Sequence, residues 1–137
     1  MKIQDLMNTK LETVLDSDPM SVAMRKLREK KIKHLPVLNS SGKLVGIVTD
    51  RDLKRANASD ATTLEIHELL YLLDKVKVRQ IMTRNPVVAR PDAGVGAAAR
   101  LMAQKGIGAM PVCREGKLVG MITTTDLLRR LGKLEIE

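Results

Sequence analysis

One stretch occurs twice in this chain, as Gly42-Lys43-Leu44-Val45-Gly46-Ile47-Val48-Thr49-Asp50-Arg51-Asp52-Leu53 and as Gly116-Lys117-Leu118-Val119-Gly120-Met121-Ile122-Thr123-Thr124-Thr125-Asp126-Leu127. Each copy reads as a turn, a strand and a helix start. The glycine opens the turn, the apolar run is short enough for a buried strand, and Thr-x-x-Asp caps the helix that follows. A duplication restricts the fold to one that two like halves can build. At 137 residues the chain has the length of one domain, so neither half should be stable alone.

The duplication extends well beyond that stretch. Met7 matches Met82, Ala23 matches Ala98, Arg25 matches Arg100, Ile32 matches Ile107, Pro36 matches Pro111 and Thr49 matches Thr123. The spacing is constant except for one residue lost in the second turn, where a duplicated fold tolerates deletion. In the first copy, Thr13-Val14-Leu15 predicts a short strand, and Ser17 or Asp18 is expected to cap a helix from Met20 to Lys31 with Pro19 at its first position. Ile32 to Leu38 predicts a strand, and Pro36 restricts it to an edge, a bulge or the strand's first residues. The second copy repeats the order, with a strand at Pro86–Ala89, a cap at Asp92, an alanine-rich helix through Met102 and a strand over 107–113.

Between the copies, Ala56–Asp60 reads as a polar loop. Residues 62–75 read as a helix whose leucines, Leu64, Leu69, Leu70, Leu72 and Leu73, pack within the domain or its dimer. His67 is expected on that helix's surface. The last residues, 133–137, read as a fraying end.

Apolar residues make up 44% of the chain, but there is no Phe or Trp and only one Tyr, so the core must be aliphatic with methionine filling much of it. Cys113 is the one cysteine and the N-terminus lacks the apolar region of a signal peptide, which points to a reducing, cytoplasmic setting. No run of apolar residues is long enough to span a bilayer. The net charge of +8 attracts polyanions, and Arg25, Lys26, Arg28, Lys30, Lys31 and Lys33 gather around one predicted helix. A solvated helix face is the simpler account of that run, and the shortage of aromatic residues weakens single-strand nucleic-acid binding. No Walker-type loop, nucleophile elbow or metal-ligand spacing is present, so no enzyme and no metal site is expected.

Two copies of strand, helix, strand, strand, helix, with proline in the middle strand and Gly-x-x-Thr-x-x-Asp at the last helix, resemble a tandem pair of cystathionine-β-synthase (CBS) domains. Within that family the chain is similar to the CBS part of acetoin-utilisation AcuB-type proteins, through His34-Leu35-Pro36-Val37, Thr49-Asp50-Arg51-Asp52, the leucine-rich connector and Thr123-Thr124-Thr125-Asp126-Leu127-Leu128. The resemblance implies an α+β fold of two βαββα repeats, packed sheet to sheet with pseudo-twofold symmetry. It divides the chain into a first motif at 1–56, a connector at 57–76, a second motif at 77–132 and a tail at 133–137. Some such relatives carry a further C-terminal domain, and this chain ends before one could begin, so a free-standing pair is expected if the sequence is complete.

The resemblance also implies two clefts for adenosine-containing ligands, such as AMP, ADP, ATP or an S-adenosyl compound, bound as regulatory ligands, with no cofactor required. In the family the aspartate of the motif receives the ribose hydroxyls and the threonine contacts ribose or phosphate; these are Asp52 and Thr49 in one cleft, Asp126 and Thr123 in the other. A carboxylate can accept from both vicinal hydroxyls of a ribose, and a helix N-terminus favours phosphate nearby. The residues before the Leu-Pro or Met-Pro pair approach the phosphates in relatives; here they are Lys33 and His34 in one copy, Gly108 and Ala109 in the other. Arg51 faces Thr125 in the same comparison, so the clefts should be unequal. An adenine slot would draw on Asn8 and Thr13, with Thr83 and Val88 in the other copy, and which copy's segment serves which cleft is open at this stage. The implied function is a non-catalytic sensor, a homodimer acting on an unknown partner protein. The alternatives are a ligand-free dimerisation scaffold docking through the connector, or a nucleic-acid-binding protein using residues 25–33.

Overall fold

The computed structural model describes residues 1–52 and 66–134, and the predicted loop at Ala56–Asp60, Leu64 and the final residues lie outside them. The side chains of residues 66–70, His67 among them, also lie outside the description. The chain forms two compact units that cut across the sequence repeats. One is Glu12–Pro86; the other joins Met1–Leu11 to Val87–Glu137. Each unit therefore takes its opening segment from the other repeat.

In the unit Glu12–Pro86, β1 (Val14–Leu15), α1 (Met20–Glu29), β2 (His34–Leu38) and β3 (Leu44–Thr49) are followed by a helix that opens at Asp50. Then come α2 (Ile66–Lys75), α3 (Val78–Ile81) and β4 (Thr83–Arg84). The sheet runs β1-β2-β3-β4, with β1 parallel to β2 and the other neighbours antiparallel. Met20, Ala23 and Leu27 recur at helical spacing and are buried with Leu35, Val37 and Val48 of the sheet, while Arg25 and Arg28 face solvent. Each large aliphatic side chain buried this way contributes roughly 1.5 to 3 kcal/mol.

The second unit has α4 (Val95–Lys105), β5 (Ala109–Arg114), β6 (Lys117–Thr123) and α5 (Thr124–Gly132). Ile3, Ala98, Met102, Met110, Val112 and Ile122 belong to its core. The missing turn residue is explained here. Glu115 and Gly116 both have positive φ and close β5 on β6 with a two-residue loop, whereas the longer first turn is held by Asn39, whose side-chain oxygen accepts from the amides of Ser41 and Lys43.

The helix starts depart from expectation in an informative way. Pro19, not Ser17 or Asp18, occupies the cap position, and Asp18 Oδ2 accepts from the Leu15 amide at 2.9 Å. Gly94, not Asp92, caps α4. Neither helix has a side-chain cap bond, because a main-chain carbonyl remote in sequence takes the first amide: Met20 N donates to Val76 O, at the end of the connector, at 2.7 Å and Val95 N to Met1 O at 3.0 Å. The expected strand at Pro86–Ala89 reduces to a single bridge, Ala89 with Val112. The helix ends match each other: Ile32 N reaches Leu27 O and Ile107 N reaches Met102 O, both at 3.1 Å, across a left-handed residue. That residue is Gly106 in one copy and Lys31 in the other, which is why α1 stops at Glu29, short of the expected Lys31.

Proline in the middle strand does not confine it to an edge, since β2 lies between β1 and β3. In the second unit the Pro111 carbonyl accepts from Ala89 N at 2.9 Å, so this residue turns its main chain toward the Ala89 segment, and the missing N–H removes no bond to β6.

The exchanged segments seat on the strand glycines. A Cβ built on Gly46 would lie 2.5 Å from Met82 Sδ and 2.9 Å from the Thr83 carbonyl; on Gly120 it would lie 2.5 Å from Met7 Sδ and 3.2 Å from the Asn8 carbonyl. A methionine side chain can move aside, but a paired backbone carbonyl cannot move without opening the β3–β4 pairing. Gly46→Ala should therefore destabilise the protein by about 1 to 3 kcal/mol, read from the midpoint of urea unfolding, as overpacking of a filled site does. A wild-type midpoint would contradict this seating.

Candidate functional site

The repeated Thr-x-x-Asp stretches form reciprocal capping boxes. Asp52 N donates to Thr49 Oγ1 at 3.1 Å and Thr49 N donates to Asp52 Oδ2 at 3.0 Å. In the second unit Asp126 N donates to Thr123 Oγ1 at 3.2 Å, while Asp126 Oδ2 accepts from Thr123 N at 2.9 Å and from its hydroxyl at 3.0 Å. Such a cap contributes about 1 kcal/mol. In each box only Oδ2 is used, so among the described residues Oδ1 of each carboxylate is left to accept from elsewhere. Both aspartates and both threonines are half-buried.

Strand register brings further residues to each box. His34 pairs with Thr49, Pro36 with Ile47, and Thr83 of the exchanged segment also pairs with Ile47. Cross-strand partners and alternate residues share a sheet face, so His34, Pro36, Ile47, Thr49 and Thr83 line one face while Leu35, Val37 and Val48 enter the α1 core on the other. The second unit has the same pattern: Ala109 pairs with Thr123, Pro111 with Met121, and Asn8 exchanges two main-chain bonds with Met121, at 2.9 and 3.0 Å. Asn8 therefore joins Thr123 and Asp126, and Thr83 joins Thr49 and Asp52. Thr13 and Val88 are parted from these companions: Thr13 precedes β1 in the unit of Asp52, where its carbonyl accepts from Lys26 Nζ at 2.7 Å, and Val88 lies exposed in the unit of Asp126.

Lys33 and Arg51 lie beside the first box, both exposed, and the Lys33 carbonyl accepts from Asp50 N at 3.2 Å. The equivalent bond in the second unit runs from Thr124 N to the Gly108 carbonyl at 3.0 Å. His34 is half-buried, and this burial holds its pKa below the ordinary value of 6.5; Asp50 and Asp52 push it up, Lys33 and Arg51 push it down, and the burial prevails.

Two tertiary details escaped the sequence reading. The strand glycines are the seats of the exchanged segments, a role that an isolated glycine within a strand pattern could have signalled. Ser21, buried on α1, donates to Asp74 on α2, a tie the sequence does not signal. Leu73 enters the same core, as its place on the connector helix predicts, so that helix is fastened to its own unit. Tyr71 and Leu72 stay exposed, with Lys75 Nζ 5.0 Å from the Tyr71 ring centre. Cys113 sits half-buried on β5, where burial raises its pKa and keeps the thiol protonated. Among the described residues no cluster of His, Cys, Asp and Glu could hold a metal ion, and no helix is long and apolar enough to cross a membrane.

Residues 3–59 and 78–133 match the family model of the CBS domain, and the chain belongs to that family as a tandem pair with an α+β fold. A CBS domain-containing protein of Dictyostelium discoideum is 37% identical over 96% of this chain and 92% of its own length. Among solved structures, the CBS domain pair of protein MJ0100, in complex with 5′-methylthioadenosine and S-adenosyl-L-methionine, superposes with a TM-score of 0.84 at 28% identity, covering 98% of both chains. CBSX2 in complex with AMP gives 0.81 at 30% identity, again over 98% of both. An acetoin utilization protein (AcuB) from Vibrio cholerae gives 0.81 at 28% identity, over 98% of this chain and 92% of its own. AcuB is thus one structural neighbour among several CBS pairs.

Because the folded state depresses the His34 pKa, it binds fewer protons than the unfolded chain just below pH 6.5. The stability that neutral His34 contributes is complete above 6.5 and is lost as pH falls from there toward the folded-state pKa. His34→Gln should flatten this part of the curve, measured by urea unfolding between about pH 7.5 and 5.5. An unchanged slope would show that His34 keeps its ordinary pKa in the fold.

Proposed function

We propose that this chain is a regulatory module without chemistry of its own, holding adenosine-containing ligands at two sites. One site is built on Thr49 and Asp52 with Thr83, the other on Thr123 and Asp126 with Asn8. The observation that carries this reading is that relatives of the same fold, at 28 and 30% identity, were solved with 5′-methylthioadenosine, S-adenosyl-L-methionine and AMP. These ligands share adenosine, and each site offers what adenosine needs. The free carboxylate oxygen accepts from ribose hydroxyls, the threonine hydroxyl stands next to it, and the extended segment at Asn8 or Thr83 can present main-chain groups to an adenine edge. Thr13 and Val88 would contribute from the same units. Occupancy would be read out as a change in the shape of a homodimer or in affinity for a regulated partner in the cytoplasm.

Neither alternative reading gains support. Leu73 and Asp74 are committed to α1, which leaves the connector less surface for a partner. The net positive charge is shared evenly between the units: Glu12–Pro86 carries 14 basic against 10 acidic residues and the other unit 10 against 6, so each is +4. Lys26 and Lys30 are moreover within 4.0 and 3.6 Å of Glu12.

Titration calorimetry of the intact protein with AMP, ATP, 5′-methylthioadenosine and S-adenosylmethionine tests the proposal. At least one should bind, and replacing both Asp52 and Asp126 by Ala should weaken it about ten- to hundredfold, as losing hydrogen bonds to a charged group does. An affinity unchanged in that double variant rejects the assignment of the aspartates, and no binding at millimolar ligand rejects the function.

A further inference from the structure

The two sites are built on the same main-chain frame but differ in the charged groups around it. At the first, β2 brings Lys33 and His34 to the capping box and the helix start adds Asp50 and Arg51; at the second, the same register places Gly108, Ala109, Thr124 and Thr125. Three groups able to donate to an anion thus stand beside Asp52, and none of the equivalent residues beside Asp126 is basic. Asp50 is the opposing charge and has Thr124 as its counterpart. With His34 neutral, the described charges next to the first box cancel, whereas the second keeps the single negative charge of Asp126. An anion arriving at the first box would raise the proton affinity of His34, whose other charged neighbours are Lys33, Asp50, Arg51 and Asp52, and so add a further donor. Arg129 and Arg130 lie a turn further along α5, and Arg130 turns its Nε inward, where that atom is buried.

Phosphate binding draws on charge-assisted donors, and a guanidinium at a helix N-terminus provides them in a forked geometry. A capping box with one carboxylate and no cation at the helix start or on the paired strand, its arginines standing only a turn further on, favours phosphate less than the first box does and accepts a neutral or sulfonium-bearing ligand. Resting on the function proposed above, we propose that the two sites sort adenosine ligands by phosphate. The Thr49–Asp52 site takes a phosphorylated adenosine, and the Thr123–Asp126 site takes an adenosine compound without phosphate.

Calorimetry of single-site proteins decides this. Asp126→Asn leaves the first site intact and Asp52→Asn the second, and the asparagine keeps an oxygen for the helix cap, so the fold is preserved. In Asp126→Asn, ATP should bind at least about tenfold more tightly than adenosine; in Asp52→Asn the two should differ by less than about threefold. Exchanging the helix-start residues should move these ratios in opposite directions. Added to Asp126→Asn, Arg51→Thr should lower the ATP-to-adenosine ratio at the first site at least about threefold, and Thr125→Arg added to Asp52→Asn should raise it at the second by a similar factor. Equal ratios in the two single-site proteins, or ratios indifferent to these exchanges, would overturn the sorting while leaving adenosine binding intact. Absence of binding by every adenosine compound would overturn the underlying function as well.

Discussion

The structure depends on a close approach between backbones at Gly46 and Gly120. Each strand glycine leaves the space of a missing side chain, and a methionine from the other repeat, Met82 or Met7, lies in it. Because that contact is made by an exchanged segment, the repeats of the sequence and the units of the structure do not coincide. Neither repeat can complete its own sheet surface or cap its own first helix. The carbonyls of Val76 and Met1 take the first amides of α1 and α4, a job that local side chains perform in most helices.

The exchange also assembles each candidate site. Thr49 and Asp52 belong to one repeat and Thr83 to the other, and Thr123 and Asp126 meet Asn8 in the same way. A capping box and a ligand-binding carboxylate are often competing accounts of Thr-x-x-Asp. Here the two are compatible: Oδ2 holds the helix start, and Oδ1 is turned to no partner among the described residues. The helix cap thereby fixes the carboxylate, and a fixed acceptor loses less entropy on taking a further hydrogen bond than a mobile one.

The strands, the helices and their shared periodicity were legible because they depend on short-range pattern. Met20, Ala23 and Leu27 announce the buried side of α1, and Thr49-x-x-Asp52 announces a helix start. Boundaries were misread where distant atoms replaced local ones. Asp18 and Asp92 looked like caps and were not, since a carbonyl remote in sequence satisfied the amide each was expected to bind. Pro36 allowed an edge, a bulge or the strand's first residues; the edge does not apply, since β1 is only two residues long and pairs at Val37 and Leu38, past the proline, and the register of β2 on β3 shifts between those two residues.

By itself, the sequence determined the duplicated architecture, the family, the aliphatic core and the identity of the four capping residues, since each of these is written in spacing and residue type. It also held the inequality of the two sites, because Lys33, His34 and Arg51 have no charged counterparts in the second copy. Only the tertiary structure decided which opening segment accompanies which capping box, and that Thr13 parts from Asn8 and Val88 from Thr83. The physical reason is that main-chain hydrogen bonds and the vacant space over a glycine carry no side-chain signature. Two chemically similar segments, at Met7 and Met82, could each have served either strand, and only the folded path of the chain determines which one does.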